Sequence, residues 1–407
     1  MAIRPPRPGP PGIRHAAPRT MLHALWSAAQ AALTALALTA CTALPAVFDP
    51  SAPASRPPTT TAAALHRLVT DGAPGAASLV TRDGRIGASR FATAGVADLR
   101  SGRKMGRLDH FRAGSLTKTL VATVVLQLVA ERKLALDDRA GARLPAGVPV
   151  TGAGSRSDLR RVTIRQLLDH TSGLFNYTQD HRLSEQLYGS GFGAHRYDRY
   201  APAALLRTAL DHPPVAAPGA RYSYSNTNYL VLGLVIRAVT GHPYAAELDR
   251  RILGPAGLHH TSFPGDDPAL PAPHGRGYSL IGDHRVDSTS LDPSRAGAAG
   301  EMVTTLGDLN RFFAALLGGR LLPPRQMAEL RSERPTDGVY GLGLYATRLP
   351  CGVTVWGHNG DINGSYAQSA GTADGRHVVS YRINTDAPAR PADGTAVLTS
   401  EFCAPRT

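Results

Sequence analysis

Two Asp-Gly dipeptides, one near each end of the folded part of this 407-residue chain, sit between strand-like runs and leave a long helical stretch between them. Residues 76–82 and 85–92 flank Asp83-Gly84, and residues 366–371 and 376–382 flank Asp374-Gly375. Asp-Gly between apolar and β-branched runs favours a tight hairpin, because both residues tolerate left-handed backbone. In the middle, Leu116, Leu120, Val121, Val124, Val125, Leu128 and Val129 recur at helical spacing. Thr163 is placed to cap a helix over 164–170, and helices over 227–239 and 305–317 both stop at glycine. Strands at both termini with helices between predict an α/β fold of the α+β sandwich kind. One antiparallel sheet is built from both chain ends and flanked by helices, with an all-helical lobe inserted. With 43% hydrophobic and 18% charged residues, the chain can bury a large core and is neither a disordered acidic tail nor a coiled coil.

The first twenty residues carry Arg4, Arg7, Arg14 and Arg19 and no acid, and residues 24–40 are rich in Ala and Leu. A basic segment, an apolar segment and small residues at its end make an export signal. That run closes in Leu38-Thr39-Ala40-Cys41, which is similar to a bacterial lipobox, so Cys41 is expected to be lipidated and to tether the protein to the cell envelope. Simple cleavage near Ala40, or an uncleaved anchor, are the other readings of the same run. Residues 1–41 are thus read as signal, 42–61 as a Pro/Ala/Thr-rich linker, and 62–407 as the folded domain, extracellular or envelope-attached. Setting Cys41 aside leaves Cys351 and Cys403, an even pair suited to an oxidising compartment. A bridge between them would contribute roughly 4 kcal/mol in the chain-entropy model.

The net charge is +13, but the basic residues are scattered and few aromatics lie between them. That pattern permits loose attraction to an anionic envelope and gives no footprint for nucleic acid, which is not an expected partner. Only Lys104, Lys118 and Lys133 are lysines among 44 basic residues. Where arginine is used almost everywhere else, a lysine beside a serine points to a need for an amine that can lose its proton.

Such a lysine is found in Phe111-Arg112-Ala113-Gly114-Ser115-Leu116-Thr117-Lys118. Ser115 stands where a loop becomes the apolar helix, and Lys118 lies three residues on, on the same face. A serine hydroxyl is a weak nucleophile until a neighbouring base takes its proton, and a buried lysine is one such base. Ser101-Gly102-Arg103-Lys104 has the same spacing but no apolar helix behind it, and is read as chance. Two further clusters follow. Tyr222-Ser223-Tyr224-Ser225-Asn226-Thr227-Asn228 leads into an apolar helix, where Tyr224 could act as a base if Lys118 depresses its pKa. By itself that run is more often a capping device. Trp356-Gly357-His358-Asn359-Gly360-Asp361 lies on or after a strand, with a histidine able to be cationic or neutral near pH 7.

In this order the three clusters resemble the Ser-x-x-Lys, Ser-Asp-Asn and Lys-Thr-Gly motifs of the serine penicillin-recognising hydrolases, a β-lactamase/transpeptidase-like fold. The variant is similar to the branch of class C β-lactamases and actinobacterial D-alanyl-D-alanine carboxypeptidases. Residues 167–174, residues 340–344 and the Cys351/Cys403 pair add to the likeness. The resemblance implies that Ser115 forms an acyl-enzyme, that Lys118 and Tyr224 move its proton, and that Asn226 holds the substrate amide. It also implies that His358 stands in for the usual lysine, with Asn359 and Gly360 beside it. The backbone N–H groups of Ser115 and Asp361 would form an oxyanion hole. No cofactor or metal is expected, and a monomer is.

Family carboxypeptidases grip a free carboxylate with cationic and hydroxyl groups where this chain has Tyr345, Asn359 and Asp361. Strand alternation puts Arg348 on the opposite face from Tyr345. The first expectation is a D-alanyl-D-alanine carboxypeptidase acting on peptidoglycan stem peptides. The alternatives are an esterase, amidase or β-lactamase-like hydrolase of other small acyl substrates, or a non-catalytic penicillin-binding or sensing module.

Overall fold

In the computed structural model, residues 60–83, 88–154, 156–386 and 391–404 are described. Helix α1 (Thr61–Thr70) leads into β1 (Gly75–Arg82) and β2 (Arg90–Gly95). The chain then runs through α2 (Thr117–Ala130), α3 (Ile164–Leu168), α4 (His181–Tyr188), α5 (Pro202–Asp211), α6 (Asn226–Thr240) and α7 (Leu306–Leu317). It returns as β3 (Tyr345–Arg348), β4 (Thr354–Ile362), β5 (Ser365–Gly371) and β6 (His377–Ile383), and ends in α8 (Pro391–Phe402). The strands form one antiparallel sheet in the order β2-β1-β6-β5-β4-β3, so the two chain ends meet at the β1–β6 pair.

Strand β1 is buried over nearly its whole length because both faces are covered. Ala77 and Leu79 join the main core with α2 and α7, while Ala76 and Val80 face the cover made by α1 and α8. Asn310 of α7 fixes that helix to the sheet, donating to Leu79 O and Thr81 Oγ1 and accepting from Ser380 Oγ. Helix α2 is apolar all round and buried from Thr117 to Leu126, which marks it as the central helix of the molecule.

The carboxy-terminal hairpin is placed as its Asp-Gly predicts, with Val378 opposite Gly371 and left-handed backbone at Gly375. The amino-terminal one is not. Val80 pairs with Arg90, so the connection is longer than two residues and the second strand begins five residues later than residue 85. Asp83 is left-handed as expected, while residues 84–87 lie outside the described residues. The expected caps form: Thr163 and Gln166 make a reciprocal capping box at α3, and Gly241 closes α6 in left-handed backbone. Cys351 and Cys403 are joined, with Cα atoms 5.7 Å apart, linking the turn before β4 to the end of α8. The basic and apolar segments, Cys41 and nearly all of the linker lie outside the described residues.

Candidate active site

Ser115 lies in a single 3-10 turn that runs directly into α2. Two glycines let this turn press against strand β4. Gly114 has a φ of +52°, and a Cβ there would stand 2.7 Å from Asp361 N. A Cβ on Gly360 would stand 1.8 Å from Ala113 O and 2.9 Å from Ser115 N. Any side chain at either position would push loop and strand apart. The contact therefore brings the Ser115 and Asp361 amides to one place, the arrangement an oxyanion hole needs.

Lys118 is fully buried, and its Nζ lies 2.9 Å from Ser115 Oγ, 2.8 Å from Asn226 Oδ1 and 2.6 Å from Ala299 O. Burial pushes the amine well below its ordinary pKa, and no carboxylate stands by to oppose this. A neutral amine has two N–H groups and one lone pair. The amide oxygen of Asn226 and the carbonyl of Ala299 can only accept, so they take the two N–H groups and the lone pair is left for the Ser115 hydroxyl. An amine so held can draw the proton from the serine that it faces.

Tyr224 meets this pair from the other side. Its phenol is within hydrogen-bonding reach of Ser115, and Lys118 Nζ sits 5.0 Å from the ring centre. Sequence reasoning expected a depressed phenol; instead burial raises it, against the lowering influence of the Ser115 hydrogen bond. The amine that was to lower Tyr224 is itself pushed down by burial and does not offset the rise. The phenol keeps its proton and is suited to pass one on.

The segment carrying Tyr224 and Asn226 is held by the loop after α3. Ser225 and Thr227 hydroxyls donate to Phe175 O, and Ser172 Oγ donates to Asn228 Oδ1. Ser225 stands at the N-cap position of α6, yet its side chain makes no capping bond, so the capping reading of this run is only positional. Asn226 gives its amide oxygen to Lys118, and its Nδ2 has only a 3.5 Å contact to Thr178 Oγ1, leaving a donor for a substrate carbonyl. His170, with a φ of +61°, accepts at Nδ1 from Ser225 N–H and Asn228 Nδ2, and its ring packs 4.2 Å from that of Tyr224.

His358 does not supply a cation. It is buried, its Nε2 accepts from Tyr340 Oη at 2.7 Å and its Nδ1–H donates to Asn359 O. Burial, against the Asn359 hydrogen bond, lowers its pKa to about 3. His358 and Gly360 share the face of β4 turned to the serine loop, while Asn359 and Asp361 project the other way. Tyr345 Oη donates to Asn359 Oδ1 at 2.9 Å. Asp361 is exposed at the end of the strand. Desolvation by the atoms around it, and then Asp386, raise its carboxyl, a rise that its exposure limits. Among the described residues no group of three His, Cys, Asp or Glu side chains is placed to hold a metal ion.

Two partners escaped the sequence: Ala299 O and Tyr340 Oη. A backbone carbonyl has no residue-type signature, and the only hint lay in the glycines at 297 and 300. Tyr340 was within a recognised stretch, but nothing local ties it to a histidine eighteen positions on.

A sheet closed by both chain ends, whose penultimate strand presses on the serine at the start of a buried helix, is the architecture of the penicillin-binding proteins and β-lactamases. The Beta-lactamase family model matches residues 61–402, and the chain belongs to that family. It is 41% identical to a D-stereospecific amidohydrolase from Streptomyces sp., with a TM-score of 0.76 over 85% of this chain and 98% of that one. It is 35% identical over 205 residues to esterase EstB of Burkholderia gladioli, covering 48% of each chain. It is 29% identical to penicillin-binding protein 4 of Amycolatopsis lactamdurans, covering 72% of this chain and 76% of that one. The chain spans about half to two thirds of the length of the first curated relatives that it matches.

Proposed function

We propose that this protein is a serine hydrolase that acylates Ser115 and acts as an amidase or esterase on small acyl or D-aminoacyl substrates. The observation that carries the chemistry is Lys118 Nζ, 2.9 Å from Ser115 Oγ, with burial pushing its pKa well down and Asn226 Oδ1 and Ala299 O accepting from it. In acylation Lys118 takes the hydroxyl proton, the serine oxygen attacks the carbonyl carbon, and the Ser115 and Asp361 amides receive the charge that builds on the carbonyl oxygen. Tyr224 relays the proton to the leaving amine or alkoxide. Water then repeats the sequence to release the acid.

The substrate side favours an amide or ester over a free carboxylate. The places expected to grip a carboxylate hold a Tyr345–Asn359 hydrogen bond and an exposed Asp361, neither of them positive, and His358 beside them is lowered to about 3. Asp361 projects on the Tyr345–Asn359 side of the strand whose amide faces Ser115, and when ionised it would repel a terminal carboxylate and attract a free amine. A D-stereospecific amidohydrolase, an esterase and D-aminopeptidases from Cereibacter sphaeroides among the relatives support the same choice. The carboxypeptidase reading is correspondingly weaker. The basic and apolar first forty residues support export with attachment through Cys41.

The test follows product release from D-alaninamide, a D-aminoacyl ester and an acylated D-Ala-D-Ala peptide. Turnover of the first two well above the third is expected. Preferential cleavage of the free-acid peptide would return the carboxypeptidase reading, and failure to hydrolyse any activated ester would remove the catalytic one.

A further inference from the structure

Behind the serine loop lies a cavity of about 20 Å³, large enough for one water or one halide and too small for an organic ligand. Among the described residues its walls include Arg112, Arg276, Arg382, His110, Asn363 and Asn384, and no acidic residue. Arg112 and Arg382 are 3% and 4% exposed. Among the described residues neither forms an ion pair.

Arg112 gives Nε to Thr289 O and Nη2 to Pro268 O, and its Nη1 has no partner. Arg382 gives Nη1 to His110 O at 3.4 Å and covers the Phe111 ring, and its Nε has no partner. The carboxylates that reach these guanidinium groups electrostatically are already engaged: Asp109 with Arg103, Asp267 with Ala269 N and Asp292 with Ser294 N. Arg276 is paired with Asp287 and Asp98.

Buried charge without a partner is among the costliest arrangements in a fold, and arginine cannot escape by losing its proton. We propose that this cavity binds one monovalent inorganic anion of halide size between Arg112 and Arg382. The orphaned Nη1 and Nε are the donors it would receive, and its charge would offset two buried guanidinium groups, Arg112 lying near Arg295 and Arg196 and Arg382 near Arg103. The position gives the site a consequence. Arg112 is three residues before Ser115, and its carbonyl accepts from Ser365 Oγ at the β4–β5 turn, so the anion would brace the loop and strand that together present the two amides to substrate. Asn363 Oδ1 and Asn384 Oδ1 are also unpartnered at this cavity and suit a water, which is the competing occupant.

Crystals of the full chain grown in bromide and measured at the bromine absorption edge separate the two. An anomalous peak between Arg112 Nη1 and Arg382 Nε supports the site; water-sized density there with no anomalous signal overturns it. In solution, replacing gluconate by chloride at fixed ionic strength should raise the Tm of the wild-type chain, and Arg382→Gln should lose that shift. An unchanged wild-type Tm counts against the site even if the variant does not fold. None of these outcomes bears on whether Ser115 is acylated.

Discussion

The Lys118 amine lies 2.9 Å from the Ser115 hydroxyl, one at the start of a helix that the rest of the protein encloses and the other in the 3-10 turn that leads into it. Spacing of i and i+3 along the helix makes the meeting possible. Enclosure decides what the amine does there, because it removes the water that would keep it charged. Replacing Lys118 by Met keeps the length and apolar fit of the stem but leaves no lone pair. Its acylation rate with an activated ester should fall by about 10³-fold, with an unchanged far-UV spectrum. Wild-type burst rates in that variant would refute the role of the amine.

The serine loop and β4 touch through bare backbone, so Gly360→Ala tests the oxyanion site directly. The new Cβ would be 1.8 Å from Ala113 O, with backbone rather than a flexible side chain in the way. Strain of about 3 kcal/mol is expected, together with a loss of kcat larger than the loss of stability explains. Denaturant unfolding and steady-state kinetics on one preparation give both quantities.

His358, held near 3, stays neutral through the physiological range, and Lys118 needs no carboxylate to remain uncharged. The pH profile of kcat/KM for an uncharged ester should therefore show no inflection from His358 between pH 5 and 8. Nitrogen chemical shifts of the labelled imidazole check the same point, and a shift typical of imidazolium at pH 6 would contradict it.

Asp361 gives a charge-specific prediction that rests on the amidase reading. A raised carboxyl ionises only as pH climbs, so attraction for an ammonium strengthens with pH. KM for D-alaninamide should fall as pH rises, and Asp361→Asn should raise that KM about tenfold while leaving an N-acetylated ester unaffected.

Glu401 predicts acid sensitivity away from the site. Its buried carboxylate accepts from Thr61, Arg82, Arg90 and His377, tying α8 to α1, β1, β2 and β6. Burial alone would raise it, but these partners hold it at about 2. An unfolded chain takes up the proton nearer the ordinary glutamate value of 4.5. The contribution is thus complete above that value and is lost as pH falls toward about 2. Glu401→Gln should cost about 2 kcal/mol at pH 7 and much less at pH 3, measured by urea unfolding at both.

Much of the fold was legible because its signals are local. The Asp374-Gly375 hairpin, the Thr163 cap and the glycine stops of α6 and α7 each depend on a few adjacent residues, and each is where the sequence places it. The amino-terminal hairpin was misplaced because its register answers to β6 and to Glu401 at the other end of the chain, not to Asp83.

The amino-acid order alone determined which residues could meet at the site. A scarce lysine three residues from a serine, a Tyr-Ser-Asn before an apolar helix and glycines around a strand histidine all follow from spacing and side-chain chemistry. Only the tertiary structure decided their charge. Burial lowers Lys118 where Asn226 and Ala299 bring nothing negative, burial raises Tyr224, and burial under Tyr340 and the core lowers His358. Desolvation is set by every atom packed around a group, and those atoms come from segments far apart in the chain.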